Sequence, residues 1–253
     1  MHVSREISFT GGLLSVVEEQ LDLWEVNLGS RQRGMLGIYA ETLASYELAN
    51  VVGTRDIERL WVDHLLDSLS CLICEGVGGA RSLIDVGSGA GLPGIPLHIA
   101  LNFGRLCLLE STSKKVDFMT HALQELGVSG VQIVDSRAED AGREEFYRES
   151  FEVATARAVA PLAVVSEYCL PFVEVGGVFV AMKGSISGEE MAGGKAAVKR
   201  LGGELEEVLR VPFVQGVEQK ERRLVAVRKV RETPGAYPRR VGVPKKDPLG
   251  AAD

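Results

Sequence analysis

Charged side chains fall at the ends of short apolar runs along this chain. Asp85 lies at the end of Leu83-Ile84, Glu110 follows Leu109, Asp135 follows Val134, Arg157 follows Ala156 and Lys183 follows Met182. An ionised carboxylate only accepts hydrogen bonds and can take two donors, so Glu110 suits a pair of neighbouring hydroxyls. Arg157 and Lys183 only donate, and suit an oxygen or a negative charge. Next to Asp85 stands a turn of another kind, in which Gly87, Gly89 and Gly91 alternate with other residues and Pro93-Gly94 follows. Residues without a Cβ adopt positive φ easily and let a ligand approach the main chain, while a helix opening behind them offers free N–H groups. Pro93 suits the first turn of that helix, where its missing N–H costs nothing. A bulky polar ligand is expected on this turn.

These charges can meet only if the runs that carry them lie side by side. Strands are predicted near 82–86, 105–109, 131–134, 151–156 and 177–182, with helices near 93–103, 113–127, 137–148, 161–172 and 188–201. Repeated βα units predict an α/β fold, a doubly wound parallel sheet whose ligands gather outside the carboxyl ends of the strands. Two further strands, near 204–214 and 221–229 and joined by a polar loop around Gln215 to Lys220, predict a C-terminal antiparallel hairpin. Ahead of the sheet the periodicity is helical only: Leu13 to Trp24, a helix from Ser30 through Tyr46, and a third from about Asp56 to Leu72. Three regions follow: an N-terminal helical cap over 1–79 with a loose start, a ligand-binding domain over 80–232, and a basic tail over 233–253.

Two ligands compete for the turn. Gly89-Ala-Gly91-Leu-Pro-Gly94 fits the dinucleotide pattern, with Glu110 about 20 residues on for the ribose. The spacing Asp85-x-Gly87-x-Gly89-x-Gly91 is similar to that of S-adenosylmethionine methyltransferases. There the carboxylate holds the turn and can face the cationic end of the cofactor, whereas beside a pyrophosphate it would repel. A third possibility is a protein that binds RNA without catalysis on a degenerate cofactor fold.

The 253 residues carry a net charge of -7, yet ten Lys or Arg against three acidic residues fall within 219–247. Such a basic stretch suits phosphates, with Arg222, Arg223, Arg239 and Arg240 as candidates. No apolar run approaches membrane-spanning length and the first ten residues have no secretory core, so a cytoplasmic location without a membrane partner is expected. Cys71 and Cys74 are three apart on a helical pattern with no second pair, which reads as core thiols. His64 and Asp67, three apart, share a helix face with no third ligand in view, so no metal is expected. They are expected to fix the cap near the RNA entrance.

On particular stretches the chain resembles the bacterial small-subunit ribosomal RNA guanine-N7 methyltransferases, also called the glucose-inhibited division protein B family. The matching stretches are Trp61-Val-Asp-His64-Leu-Leu-Asp67-Ser68-Leu69, Ile84 to Leu97, Leu108-Leu-Glu-Ser111 with Lys114-Lys115, Ser136-Arg-Ala-Glu139, Thr155 to Pro161, Ala181-Met-Lys-Gly184, and Tyr237-Pro-Arg-Arg240 with Pro244. They stand in family order over about residues 50 to 249; Asn50-Val51-Val52 departs from the usual Asn-Leu-Thr. The resemblance implies a Rossmann-like methyltransferase, S-adenosylmethionine as donor, S-adenosylhomocysteine as product, and a guanine of the small-subunit RNA or 30S particle as acceptor. It also implies that Gly87 and Leu92 line the cofactor path, Glu110 holds the ribose, Ala138 and Glu139 hold the adenine, and Arg157 flanks the reacting side. Lys183 is expected at guanine O6 or a phosphate. A monomer is expected.

Overall fold

The computed structural model describes residues 11–157, 160–214 and 221–250. A seven-stranded sheet runs through it, built from β1 (Ser82–Val86), β2 (Arg105–Glu110), β3 (Gln132–Asp135), β4 (Phe151–Arg157), β5 (Val173–Lys183), β6 (Gly203–Arg210) and β7 (Arg223–Lys229). The spatial order is β3-β2-β1-β4-β5-β7-β6. The first five strands are parallel, while β7 runs antiparallel to β5 and β6. The order reverses at β1, whose two neighbours are β2 and β4, and the glycine turn follows β1 there.

β1, β2, β4 and the second half of β5 are buried on both faces, and their alternate residues supply two cores. Leu83, Leu106, Leu108, Val153, Val178 and Val180 face one way and share a core with the N-terminal helices α1 (Gly11–Leu23) and α2 (Ser30–Ser45). Ile84, Val86, Cys107, Leu109, Ala154 and Phe179 face the other way. They pack with α8 (Leu162–Cys169) and α9 (Gly188–Arg200). α5 (Gly94–Leu101) and α6 (Ser113–Glu125) connect β1 to β2 and β2 to β3 on the first face.

The described part of the cap has no core of its own. The Tyr39 hydroxyl donates to the Ala90 carbonyl in the glycine turn. Gln20 and Trp24 both donate to the Pro212 carbonyl, at 3.2 and 2.8 Å, and Val214 N donates back to Gln20 Oε1 at 3.0 Å. The first helix is thereby tied to the segment that follows β6.

Several elements differ from the sequence reading. The third cap helix is a succession of short pieces, α3 (Ile57–Leu60), a wide π-type turn over Trp61–Leu66, α4 (Asp67–Leu69) and a 3-10 turn over Ser70–Ile73. The helix expected over 137–148 is only α7 (Ala138–Ala141), because the residues after Gly142 are mostly charged and supply no continuous apolar face. The strand expected over 204–214 ends at Arg210, two residues before Pro212, and is bulged between Leu205 and Glu207. The loop expected around Gln215 to Lys220 lies outside the described residues, as do the first ten.

The basic C-terminal stretch is no free tail. Thr233, Pro238 and Pro244 are buried, and residues 233–247, ending in α10 (Val243–Lys246), cross the molecule as a strap. Arg148 donates to the carbonyls of Tyr237 at 2.8 Å and Thr233 at 2.7 Å. Cys71, Cys74, Cys107 and Cys169 are buried free thiols, and burial pushes Cys74 and Cys107 up to about 12. Among the described residues no helix is long and apolar enough to cross a membrane, and no cluster of three or more His, Cys, Asp or Glu could hold a metal ion.

Candidate functional site

The glycine turn is held from below by Asp85. Its carboxylate accepts from Ser88 Oγ at 2.5 Å, from Gly94 N at 3.0 Å and from Thr155 Oγ1 at 3.0 Å. Burial raises its pKa, and these three hydrogen bonds lower it, acting against that effect. Of the two expected roles, Asp85 therefore fills the first: it holds the turn, but at 1% exposure it does not face a ligand.

The glycines divide in the same way. A Cβ on Gly91, where φ is +85°, would lie 2.3 Å from Ile95 Cδ1, and one on Gly94 would lie 2.6 Å from Leu108 Cδ2. Both are glycine because the first turn of α5 packs there. At Gly89, with φ +62°, the nearest atom to a Cβ would be 3.9 Å away, so the backbone lies open to a ligand. Gly91 is packed against Ile95, and the Leu92 side chain belongs to the core beneath the cap.

Beside the turn, a cleft of about 290 Å³ opens across the carboxyl ends of β1, β2 and β3. Val86, Gly87, Leu109, Glu110, Ala138 and Glu139 line it, together with Tyr168 from α8 and Val241, Gly242 and Lys245 from the strap. Glu110 Oε2 accepts from Gly89 N at 3.0 Å, and Oε1 accepts from Ser111 N and Thr112 N at 2.9 Å each. A carboxylate has about four lone-pair sites, so Glu110 keeps acceptor capacity toward the cleft while it fixes the turn. Glu139 Oε1 accepts from Gly242 N at 2.9 Å, and burial first, then the neighbouring Glu139 and Glu167 charges, push the Tyr168 hydroxyl up to about 12. The cleft combines an apolar lining with two carboxylates.

On the other side of β1, four residues from three parts of the chain meet. Asp67, only 4% exposed, accepts from Arg157 Nη1 at 3.4 Å through Oδ2 and from Arg222 Nε at 2.9 Å through Oδ1. Arg157 Nη1 also lies 3.4 Å from His64 Nδ1. This joins the cap, the end of β4 and the C-terminal hairpin.

His64 is pushed down to about 4, first by burial and then by the Arg157 cation. Unfolded, a histidine titrates near 6.5, so below about that pH the unfolded chain takes up this proton more readily than the folded one. Stability is expected to be intact above pH 6.5 and to fall progressively as the pH drops toward 4. Asp67, raised by burial, works the other way above the ordinary carboxylate value of about 3.9, because its folded form holds a proton more tightly. Thermal melts at pH 7 and pH 5 should show the loss in the natural chain and a flatter response in His64→Gln.

The remaining predicted cations are mostly committed elsewhere. Lys183 Nζ donates to the Ala160 carbonyl and pairs with Glu190, both at 2.8 Å, so it fastens the loop after β4 instead of reaching outward. Arg239 grips the fully buried Glu167 at 2.7 Å and Asp247 at 3.0 Å, and is a strap anchor rather than a phosphate contact. Arg223 pairs with Glu221 at 2.7 Å. Arg240 stays exposed and makes no ion pair with a described residue. Glu190, Glu167, Tyr168 and the strap's cleft residues went unnoticed in the sequence. One signal was there: Glu167 interrupts the apolar run Leu162-Ala-Val-Val-Ser, where a carboxylate needs a cation.

Against family models, residues 32–225 match the one described as rRNA small subunit methyltransferase G. A protein of that description from Rubrobacter xylanophilus is 50% identical over 231 residues, covering 91% of this chain and 88% of the relative. Another, from Bacillus cytotoxicus, is 40% identical over 227 residues, covering 88% and 93%. Among solved structures, NSun6 from Pyrococcus horikoshii with SFG superposes with a TM-score of 0.53 at 17% identity, over 67% of this chain and 53% of that one. The mitomycin 7-O-methyltransferase MmcR gives 0.52 at 14%, over 66% and 54%. At such identities the structures speak for the fold alone, and it is the Rossmann-like fold of methyltransferases.

Proposed function

The chain belongs to the rRNA small subunit methyltransferase G family, and from that premise we propose that it transfers a methyl group from S-adenosylmethionine to N7 of a guanine in small-subunit (16S) ribosomal RNA. One observation carries this reading: the stretch that matches the family, 32–225, contains the glycine turn, both cleft carboxylates and Arg157. The cleft suits the cofactor on its own chemistry, since Gly89 leaves open backbone where a Cβ would stand and Glu110 and Glu139 offer acceptors at the edge of an apolar slot.

In this reading Gly87 and Gly89 admit the cofactor to the main chain, Glu110 accepts from a ribose hydroxyl through its remaining lone-pair site, and Ala138 and Glu139 meet the adenine. S-Adenosylmethionine supplies the electrophilic methyl group and leaves as S-adenosylhomocysteine. Guanine N7 has an available lone pair, so no side chain has to remove a proton from the nucleophile. The protein's task is to hold the base in line and to exclude water. Arg157 stands at the end of β4, oriented by Asp67 and His64 through Nη1. A guanidinium there donates to guanine O6 through one nitrogen only, because the usual two-point grip on O6 and N7 would cover the lone pair that reacts.

The test is transfer from labelled S-adenosylmethionine to small-subunit particles that lack the modification, with naked RNA alongside and the labelled nucleoside identified. N7-methylguanosine is expected, and Arg157→Ala should reduce its formation about a hundredfold, the scale of one lost transition-state donor, with cofactor binding retained. Label in no RNA form, despite cofactor binding, would sink the acceptor and leave the cofactor assignment standing.

A further inference from the structure

We propose that the C-terminal strap, through Val241 and Lys245, is the outer wall of the nucleoside subsite, an inference that rests on the cofactor reading above. The basic segment at the chain's end would then act on the cofactor before anything else.

Three features of the strap point this way. It is fixed in place along its length: Arg148 holds the Thr233 and Tyr237 carbonyls, Arg239 is clamped by Glu167 and Asp247, and Gly242 N is held by Glu139. A segment pinned at so many points forms a wall of constant position. It also completes the lining of the cleft, where Val241, Gly242 and Lys245 join Val86, Leu109 and Ala138. Val241 is an apolar side chain left 48% exposed at this rim. A flat purine between Val241 and the strand ends would cover it and remove apolar surface from water.

The third feature is charge. Arg239, six residues before Lys245, is fully engaged, whereas Lys245 lines the same cleft as Glu110 and Glu139 and makes no ion pair with a described residue. An ammonium group has three donors and no acceptor. The ring nitrogens of a purine and the oxygens of a ribose are the acceptors that a nucleoside brings, so Lys245 complements the two carboxylates, which take that ligand's donors. Glu139 links the two halves of the site, since the carboxylate placed to meet the adenine amine also holds the strap's Gly242 N–H. Ligand binding should therefore be felt along the strap as well as in the cleft.

The test is calorimetric titration of the full chain with S-adenosylhomocysteine and, separately, with adenosine. Val241→Ser and Lys245→Ala should each raise Kd for both ligands about fivefold to tenfold, the scale of one lost hydrogen bond or apolar contact. Lys245→Arg should recover most of the affinity, and Lys246→Ala should leave it unchanged. All three positions are exposed, so folding should persist, which melting curves would verify. Hydrogen exchange of the amides from Gly242 to Asp247 should slow when S-adenosylhomocysteine is added. Unchanged Kd in Val241→Ser and Lys245→Ala, with weaker RNA binding in the latter, would overturn the inference and return the strap to the RNA. A natural chain that bound neither ligand would overturn the cofactor reading and this inference with it.

Discussion

Asp67→Asn is expected to lower methyl transfer about a hundredfold while leaving S-adenosylhomocysteine binding close to normal. The substitution removes the one carboxylate that Arg157 and Arg222 share, and leaves two guanidinium groups facing each other. Breaking a fully buried pair costs roughly 3–5 kcal/mol. Here Arg157 and Arg222 are 18% and 26% exposed, so water relieves part of that penalty and a loss of about 2 kcal/mol is expected in urea denaturation. The catalytic effect is separate. A displacement of about 1 Å in a positioning group can reduce rate by about two orders of magnitude, and Asp67 is what holds Arg157 Nη1. The loss should appear in kcat, because Asp67 is not among the residues lining the cofactor cleft. Transfer at the natural rate in a folded Asp67→Asn protein would show that Arg157 needs no such support.

The second large effect separates two glycines that look alike in sequence. Gly91→Ala would place a methyl group 2.3 and 2.7 Å from two carbons of Ile95, at a backbone φ of +85°. Overpacking of this kind costs roughly 1–3 kcal/mol and a left-handed alanine about 1–2 more, enough to threaten the fold of a marginally stable domain. Gly89→Ala carries only the backbone cost, about 1–2 kcal/mol, since its methyl meets nothing within 3.8 Å. It should fold, yet its methyl stands in the opening left for the ligand, and cofactor binding should weaken about tenfold or more. Soluble yield and melting temperature set against S-adenosylhomocysteine affinity would read the two effects apart. Equal loss of both properties in the two variants would mean that Gly89 is also a packing residue.

The succession of strands along the chain and the position of the turn were readable because strand–helix alternation and glycine spacing are local properties of the chain. The three helices of the cap were readable for the same reason, apart from the π-type turn that carries His64, since a widened turn leaves the apolar periodicity nearly intact. Partnerships were harder. Lys183 and Arg239 look like free cations in sequence, and only folding brings Glu190 and Glu167 to them from separate helices. Asp85 shows the same limit in reverse, for its three internal donors come from Ser88, Gly94 and Thr155, the last of them 70 residues away. The strap escaped notice because it has almost no regular structure: its place in the cleft depends on side chains that grip its carbonyls, and no periodicity records that.

The tie between the first helix and the segment after β6 bears on how the chain is made. Gln20 waits for Pro212, a partner 192 residues further on. At roughly 5–20 residues per second, a ribosome delivers that partner some 10 to 40 s after the helix has emerged. During that interval the helix, whose Leu13, Val17 and Leu21 are buried in the finished protein, lacks the hydrogen bonds that tie it to the segment after β6. The first helix thus completes its ties late, and its apolar stripe stays only partly secured until the C-terminal hairpin has formed.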